Sequence, residues 1–124
     1  MSLIIVIDDD PDILETTEII LKSENYEVIT VDNPSEGFET VKKEKPDLII
    51  LDVMMEEPDD GFFLAQKFRR EGITIPILMY TSISKAVGME FGAGEMVPVN
   101  EFVEKPISSE ELLNKVRKLI NMGE

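Results

Sequence analysis

The stretch LIIVIDDDPDI, residues 3–13, sets five apolar side chains directly before four acids, Asp8, Asp9, Asp10 and Asp12. The apolar run has the length and character of a buried strand. Asp10 followed by Pro11 reads as a helix start, with an N-cap carboxylate and a first-turn proline whose absent N–H is not needed there. A strand that passes straight into a helix is the first unit of an alternating α/β chain. The acids raise a second question. Two carboxylates about 4 Å apart repel by roughly 4 kcal/mol at a near-surface effective dielectric. A chain that crowds them either fans them into water or holds a cation.

Alternation continues to the other end. Strand-like apolar runs occupy residues 3–7, 27–31, 48–53, 75–80 and 102–104. Between them lie helical patterns. The first buries Ile13, Leu14, Thr17, Ile20 and Leu21 on one face. The second opens at Asn33-Pro34 with Glu36 three residues on, and the third runs from about Gly61 to Arg70 with Leu64, Ala65 and Phe68 inward and Gly72 as its stop. The last begins at Ser108, with Glu111 in capping-box spacing, and buries Leu112, Leu113, Val116, Leu119 and Ile120. Near-continuous apolar strands alternating with helices imply a parallel sheet covered on both faces, a three-layer α/β fold. A further helix, fourth in chain order, is expected within residues 82–100. Gly88, Gly92, Gly94 and Pro98 make it short or irregular.

With 124 residues the chain reads as one domain, residues 1–124, with no output domain behind it. The formal net charge of −14 argues against nucleic-acid and anionic-membrane surfaces, since phosphate contacts need Lys and Arg. No apolar run reaches the length of a membrane span, and the start lacks the pattern of a signal peptide. Cysteine and histidine are both absent, which excludes disulfides, thiolate or imidazole metal sites, Ser-His catalysis and a phosphohistidine on this chain. A cytoplasmic location is the expectation. The basic residues follow a rule of their own. Ten lie in the C-terminal halves of the four clear helices, where they complement the helix dipoles, and only Lys85 and Lys105 fall elsewhere.

The chemistry gathers at the carboxyl ends of the strands, where ligands bind in open parallel sheets. Strand one delivers Asp8 and Asp9, strand three Asp52, strand four Thr81 and Ser82, and strand five Lys105. Carboxylate oxygens with retained waters suit Mg²⁺. A hydroxyl and an ammonium beside a metal-bound carboxylate suit a transferred phosphoryl group. Each residue taken alone has a plainer reading: a solvated helix cap for the first acids, a strand end for Asp52 and Thr81, core for Phe102, a surface amine for Lys105. Their joint placement carries the functional reading.

At this point VIDDDPDI, LIILDVMM, LMYTS and FVEKP, in that order, resemble the four signatures of response-regulator receiver domains, over essentially the whole chain. The resemblance implies a doubly wound, flavodoxin-like five-stranded sheet of order 2-1-3-4-5. It also implies reversible aspartyl phosphorylation from a histidine kinase or histidine phosphotransfer protein, with regulation of a protein target the sequence does not name. By position Asp52 is the phosphoacceptor. Asp9 ligates Mg²⁺ (or Mn²⁺) directly, Asp8 through water, and Met54 through its carbonyl, alongside Asp52. Thr81, Ser82 and Lys105 bind phosphoryl oxygens, Thr81 and Phe102 form the switch, and Lys105-Pro106 matches a pair whose peptide bond is usually cis. Met54 and Ile83 flank the approach of water to the phosphoryl group. Such a module is a monomer or weak dimer, and it promotes its own phosphorylation and slow dephosphorylation without being a turnover enzyme. Two departures stand out: Met55 is followed by Glu56 where receivers have proline, and EEPDDG holds one extra residue.

Two other readings compete. A haloacid-dehalogenase-type, Mg-dependent phosphatase also places Asp-x-Asp after its first strand, as Asp8 and Asp10 stand here, but position 12 is Asp where that class has Thr or Val. A receiver-like module that binds partners without phosphorylation has no feature in its favour.

Overall fold

The computed structural model describes residues 2–53, 55, 60–81, 100–104 and 108–122, with backbone alone at Thr81, Phe102, Glu104 and Met122. Five strands, β1 (Leu3–Ile7), β2 (Glu27–Val31), β3 (Leu48–Leu51), β4 (Ile77–Thr81) and β5 (Glu101–Glu104), form one parallel sheet in the order β2-β1-β3-β4-β5. Four helices are described: α1 (Pro11–Lys22), α2 (Pro34–Glu44), α3 (Asp60–Arg70) and α4 (Ser109–Met122). The short or irregular helix expected between β4 and β5 lies outside the described residues.

The apolar strands are continuous because both faces of the sheet are covered. Successive side chains point to opposite faces. Ile4, Val6, Leu48, Ile50 and Leu78 therefore pack against Leu21 of α1 and Leu112, Val116 and Leu119 of α4. Ile5, Ile7, Ile49, Leu51 and Met79 meet Phe38 and Val41 of α2 and Leu64, Ala65 and Phe68 of α3. At about 25 cal/mol per Å² of apolar surface removed from water, such fully buried Ile and Leu side chains supply the main drive for folding. The inward face expected for α1 is the right one but sits shallow. Thr17 and Leu21 are buried, whereas Ile13, Leu14 and Ile20 are only partly covered.

Helix starts follow local chemistry. Asp10 has extended backbone, and its Oδ1 accepts the N–H groups of Asp12 (2.9 Å) and Ile13 (3.4 Å). Asn33 Oδ1 accepts from Glu36 N–H at 2.8 Å, and Ser108 Oγ accepts from Glu111 N–H at 3.2 Å. Gly72 ends α3 at φ 81°, a left-handed geometry that costs glycine little.

Strand ends depart slightly from the expected ones. β3 stops at Leu51 rather than Val53, although Asp52 N–H still donates to the carbonyl of Ile7 (3.0 Å). β4 starts at Ile77 rather than Ile75, because Pro76 has no N–H and the Ile75 carbonyl is taken by a side chain. That side chain is Arg69. Its Nη1 donates to the carbonyls of Ile73 and Ile75 (2.9 Å each) and its Nη2 to Asn100 Oδ1 (3.1 Å). Asn100 Oδ1 in turn accepts the N–H of Ile77 at 2.9 Å, so the end of α3, the entry to β4 and the entry to β5 are tied together. Burial lowers the Arg69 pKa below the ordinary guanidinium value.

Candidate phosphoacceptor site

The site is built by register. Ile7 of β1 pairs with Leu51 of β3, so the next residue of each strand, Asp8 and Asp52, leaves the sheet beside the other. β1 and β3 are also the strands between which the winding direction reverses, where side chains leaving the strands open a crevice. Asp8 is anchored by its N–H on the carbonyl of Val31 (3.1 Å), while its Oδ1 accepts the N–H of Asp10 at 2.9 Å. Asp8 is 2% and Asp52 6% exposed, whereas Asp9 stands in solvent. One carboxylate oxygen from each of Asp8, Asp9 and Asp52 lies within 4.8 Å of the others.

Two buried carboxylates and a third at this range repel, and burial removes the water that would screen them. A divalent cation with a taste for hard oxygen ligands removes the conflict. Among the described residues the group consists of carboxylates, with Asp9 exposed to water, and such hard oxygen ligands match the donor set of Mg²⁺. Asp10 does not join the three. Its carboxylate is committed to the first turn of α1, which removes the Asp8-x-Asp10 pairing that a dehalogenase-type site requires.

Gly61 is a part of this site that the sequence reading took only as a helix start. The first turn of α3 rests on the backbone just past β3. Gly61 N–H donates to the carbonyl of Val53 at 2.8 Å. A Cβ on Gly61 would collide with the carbonyl oxygen of Asp52 and lie 2.6 Å from Val53 Cα. The only signal in the sequence was a glycine at a position where helices prefer better formers.

Among the other expected residues, Thr81 is the last of β4 and pairs with Glu104 of β5, while Phe102 pairs with Met79. The strand backbone therefore carries Thr81 to the same sheet edge as the three carboxylates. Met54, Ser82, Ile83, Lys105 and Pro106 lie outside the described residues.

Known proteins share this fold, and some of them part of the sequence. The alkaline phosphatase synthesis transcriptional regulatory protein PhoP of Bacillus subtilis is 32% identical over 125 residues, covering 98% of this chain and 49% of its own. The chain thus spans about half the length of the curated relatives it matches. The response regulator TrrA of Thermotoga maritima, solved in complex with Mg²⁺-BeF, superimposes with a TM-score of 0.83 at 30% identity, over 96% of this chain and 99% of that one. The receiver domain of Francisella response regulator 1452 has the same fold, with a TM-score of 0.89 at 20% identity over the full length of both chains. No helix among the described residues is long and apolar enough to cross a membrane. The sequence profile of the response regulator receiver domain matches residues 4–117, nearly the whole chain, and the chain belongs to that family, the receiving modules of two-component signalling.

Proposed function

We propose that the chain accepts a phosphoryl group on Asp52 from a phosphohistidine of a kinase or phosphotransfer protein, with Mg²⁺ held by Asp8, Asp9 and Asp52. One observation carries the reading: a buried Asp52 carboxylate at the end of a central strand, within 4.8 Å of two further carboxylates. A carboxylate oxygen of Asp52 attacks phosphorus in line; the new O–P bond forms as the P–N bond to the donor imidazole breaks. Bound beside it, the ion supplies positive charge to the acids and to the phosphoryl oxygens. Asp9, exposed, contributes the direct ligand, Asp8 acts through water, and the Met54 carbonyl completes the protein's share. Thr81, Ser82 and Lys105 hold the phosphoryl oxygens, and Thr81 with Phe102 passes the change outward, toward a protein target. The role is that of a signalling module rather than a turnover enzyme.

Intact mass after treatment with a small phosphodonor and Mg²⁺ tests this directly. A single phosphate adduct is expected, absent in Asp52→Asn and in excess EDTA. Equal yield in the variant, or full yield in EDTA, overturns the assignment.

The adduct is also expected to last. The resemblance to receiver domains would put Met54 and Ile83 beside the approach of water to phosphorus, and both are apolar residue types that give a water no hydrogen bond. Help in positioning water is often worth about two orders of magnitude in rate. Met54→Asn or Ile83→Glu should therefore speed decay, followed by mass, and no acceleration in either would remove both residues from this role.

A further inference from the structure

The cations of this protein are not treated alike on the two faces of the sheet. Every basic residue of α1 and α4 faces a carboxylate: Lys22 meets Glu18 at 2.9 Å, Lys115 and Lys118 meet Glu101 at 3.3 and 3.9 Å, and Arg117 meets Glu24 at 3.6 Å. On α2, at its C-cap and on α3, Lys42, Lys43, Lys45, Lys67 and Arg70 make no ion pair among the described residues, although acids outnumber bases 26 to 12. Helix dipoles account for basic residues at helix ends on both faces alike, so they do not account for this difference. Two of the ammonium groups also converge. Lys67 Nζ lies 4.1 Å and Lys42 Nζ 5.2 Å from the centroid of the same ring, Phe38, which stacks on Phe68. Like charges gathered on one ring repel each other, so an anion beside them is favoured.

Beside them is a cavity of about 370 Å³ between the C-terminal turn of α2 and the connection from α3 to β4. Val41, Ile73 and Ile75 form its apolar floor, Lys42 and Lys45 its basic rim, and Glu71 its acidic corner. The cavity lies where β3 and β4 begin, at the opposite sheet edge from Asp52.

We propose that this groove docks an acidic protein segment carrying one apolar side chain. The side chain sits on Val41, Ile73 and Ile75, while its flanking carboxylates meet Lys42, Lys45 and Lys67. An apolar anchor between carboxylates is a feature of peptides and not of a phosphate backbone. A long polyanion would also bring its charge against a protein of net charge −14. A short acidic segment avoids this, because exposed charges beyond roughly 8 Å are screened at physiological salt.

The test uses the full chain, isotope-labelled for amide NMR, and a peptide with one central leucine among glutamates and aspartates. Shifts are expected at amides 41–45 and 71–75, weakening as salt is raised. The double variant Lys42→Glu/Lys45→Glu should lower affinity about tenfold, Lys45→Glu alone by less, and a leucine-to-serine peptide should also bind more weakly. Phosphate uptake at Asp52 should be unchanged in both variants, which separates this site from the acidic one. Unmoved amides at low salt, or undiminished affinity of the double variant, overturn the proposal. So does a DNA duplex that shifts the same amides at lower concentration than the peptide.

Discussion

Gly61 has no room for a side chain, because the backbone of Asp52 stands where its Cβ would be and Val53 Cα lies only 2.6 Å from that point. The helix that follows Asp52 is thus seated directly on the main chain that carries this carboxylate. In an ordinary helix interior, glycine to alanine gains about 1 kcal/mol. Here Gly61→Ala is expected to lose about 2 kcal/mol or more, since backbone rather than a flexible side chain must yield. Urea unfolding measures this, and a variant as stable as the parent would show that α3 shifts freely on its seat.

Asp10 caps a helix while its neighbour Asp9 is the proposed metal ligand, and mutation should separate the two. Asp10→Ala removes the acceptor for two helix N–H groups and should cost about 1 kcal/mol of stability. Phosphate uptake and stabilisation by Mg²⁺ should be unchanged. A loss of Mg²⁺ response in Asp10→Ala would place this carboxylate in the metal site after all.

Asp9→Asn should have the opposite signature. With metal chelated, one negative charge fewer among three close carboxylates relieves repulsion, so melting temperature in EDTA should rise, by the equivalent of about 1 kcal/mol for an exposed group. Added Mg²⁺ should then stabilise the variant less than the parent. Thermal melts with and without Mg²⁺ decide it; an unaltered Mg²⁺ increment rules out Asp9 as a ligand.

Arg69 is a clamp made of a planar fork. Replacing it by methionine removes the donors to Ile73, Ile75 and Asn100 and should cost about 2–3 kcal/mol. Lysine, a point charge without the fork, should recover only part of that. Hydrogen exchange at the Ile77 amide, held by Asn100, should quicken in both variants. Full recovery by lysine would mean that charge, and not geometry, holds the corner.

What was legible in the sequence was short-range or periodic. Asp10, Asn33 and Ser108 announced their helices because a cap is satisfied within three residues. The three carboxylates were foreseeable because parallel strands deliver whatever follows them to one edge. Periodicity recognises a buried face but not its depth, so Ile13, Leu14 and Ile20 lie shallower than their spacing suggests. Nor does it recognise pairing: Val53 is as buried as a strand residue without being in one. The seat of Gly61 on Asp52 and the reach of Arg69 to Asn100 join residues beyond the span of a cap or a helical turn, and composition carries no trace of such contacts.

Because α1, α2 and α3 run back against the strands, the cations of their last turns collect where the strands begin. Lys22, Lys42 and Lys67 mark that edge, and Asp8, Asp9 and Asp52 mark the other. The molecule therefore carries an electric moment along the strand direction in addition to its net charge of −14. A diffusing partner with a positive surface feels a torque within about 10 Å at moderate ionic strength, before any side chain touches. It is turned toward the carboxylate edge while still in water. Productive orientation is then partly settled during approach, and fewer encounters are spent on the wrong face.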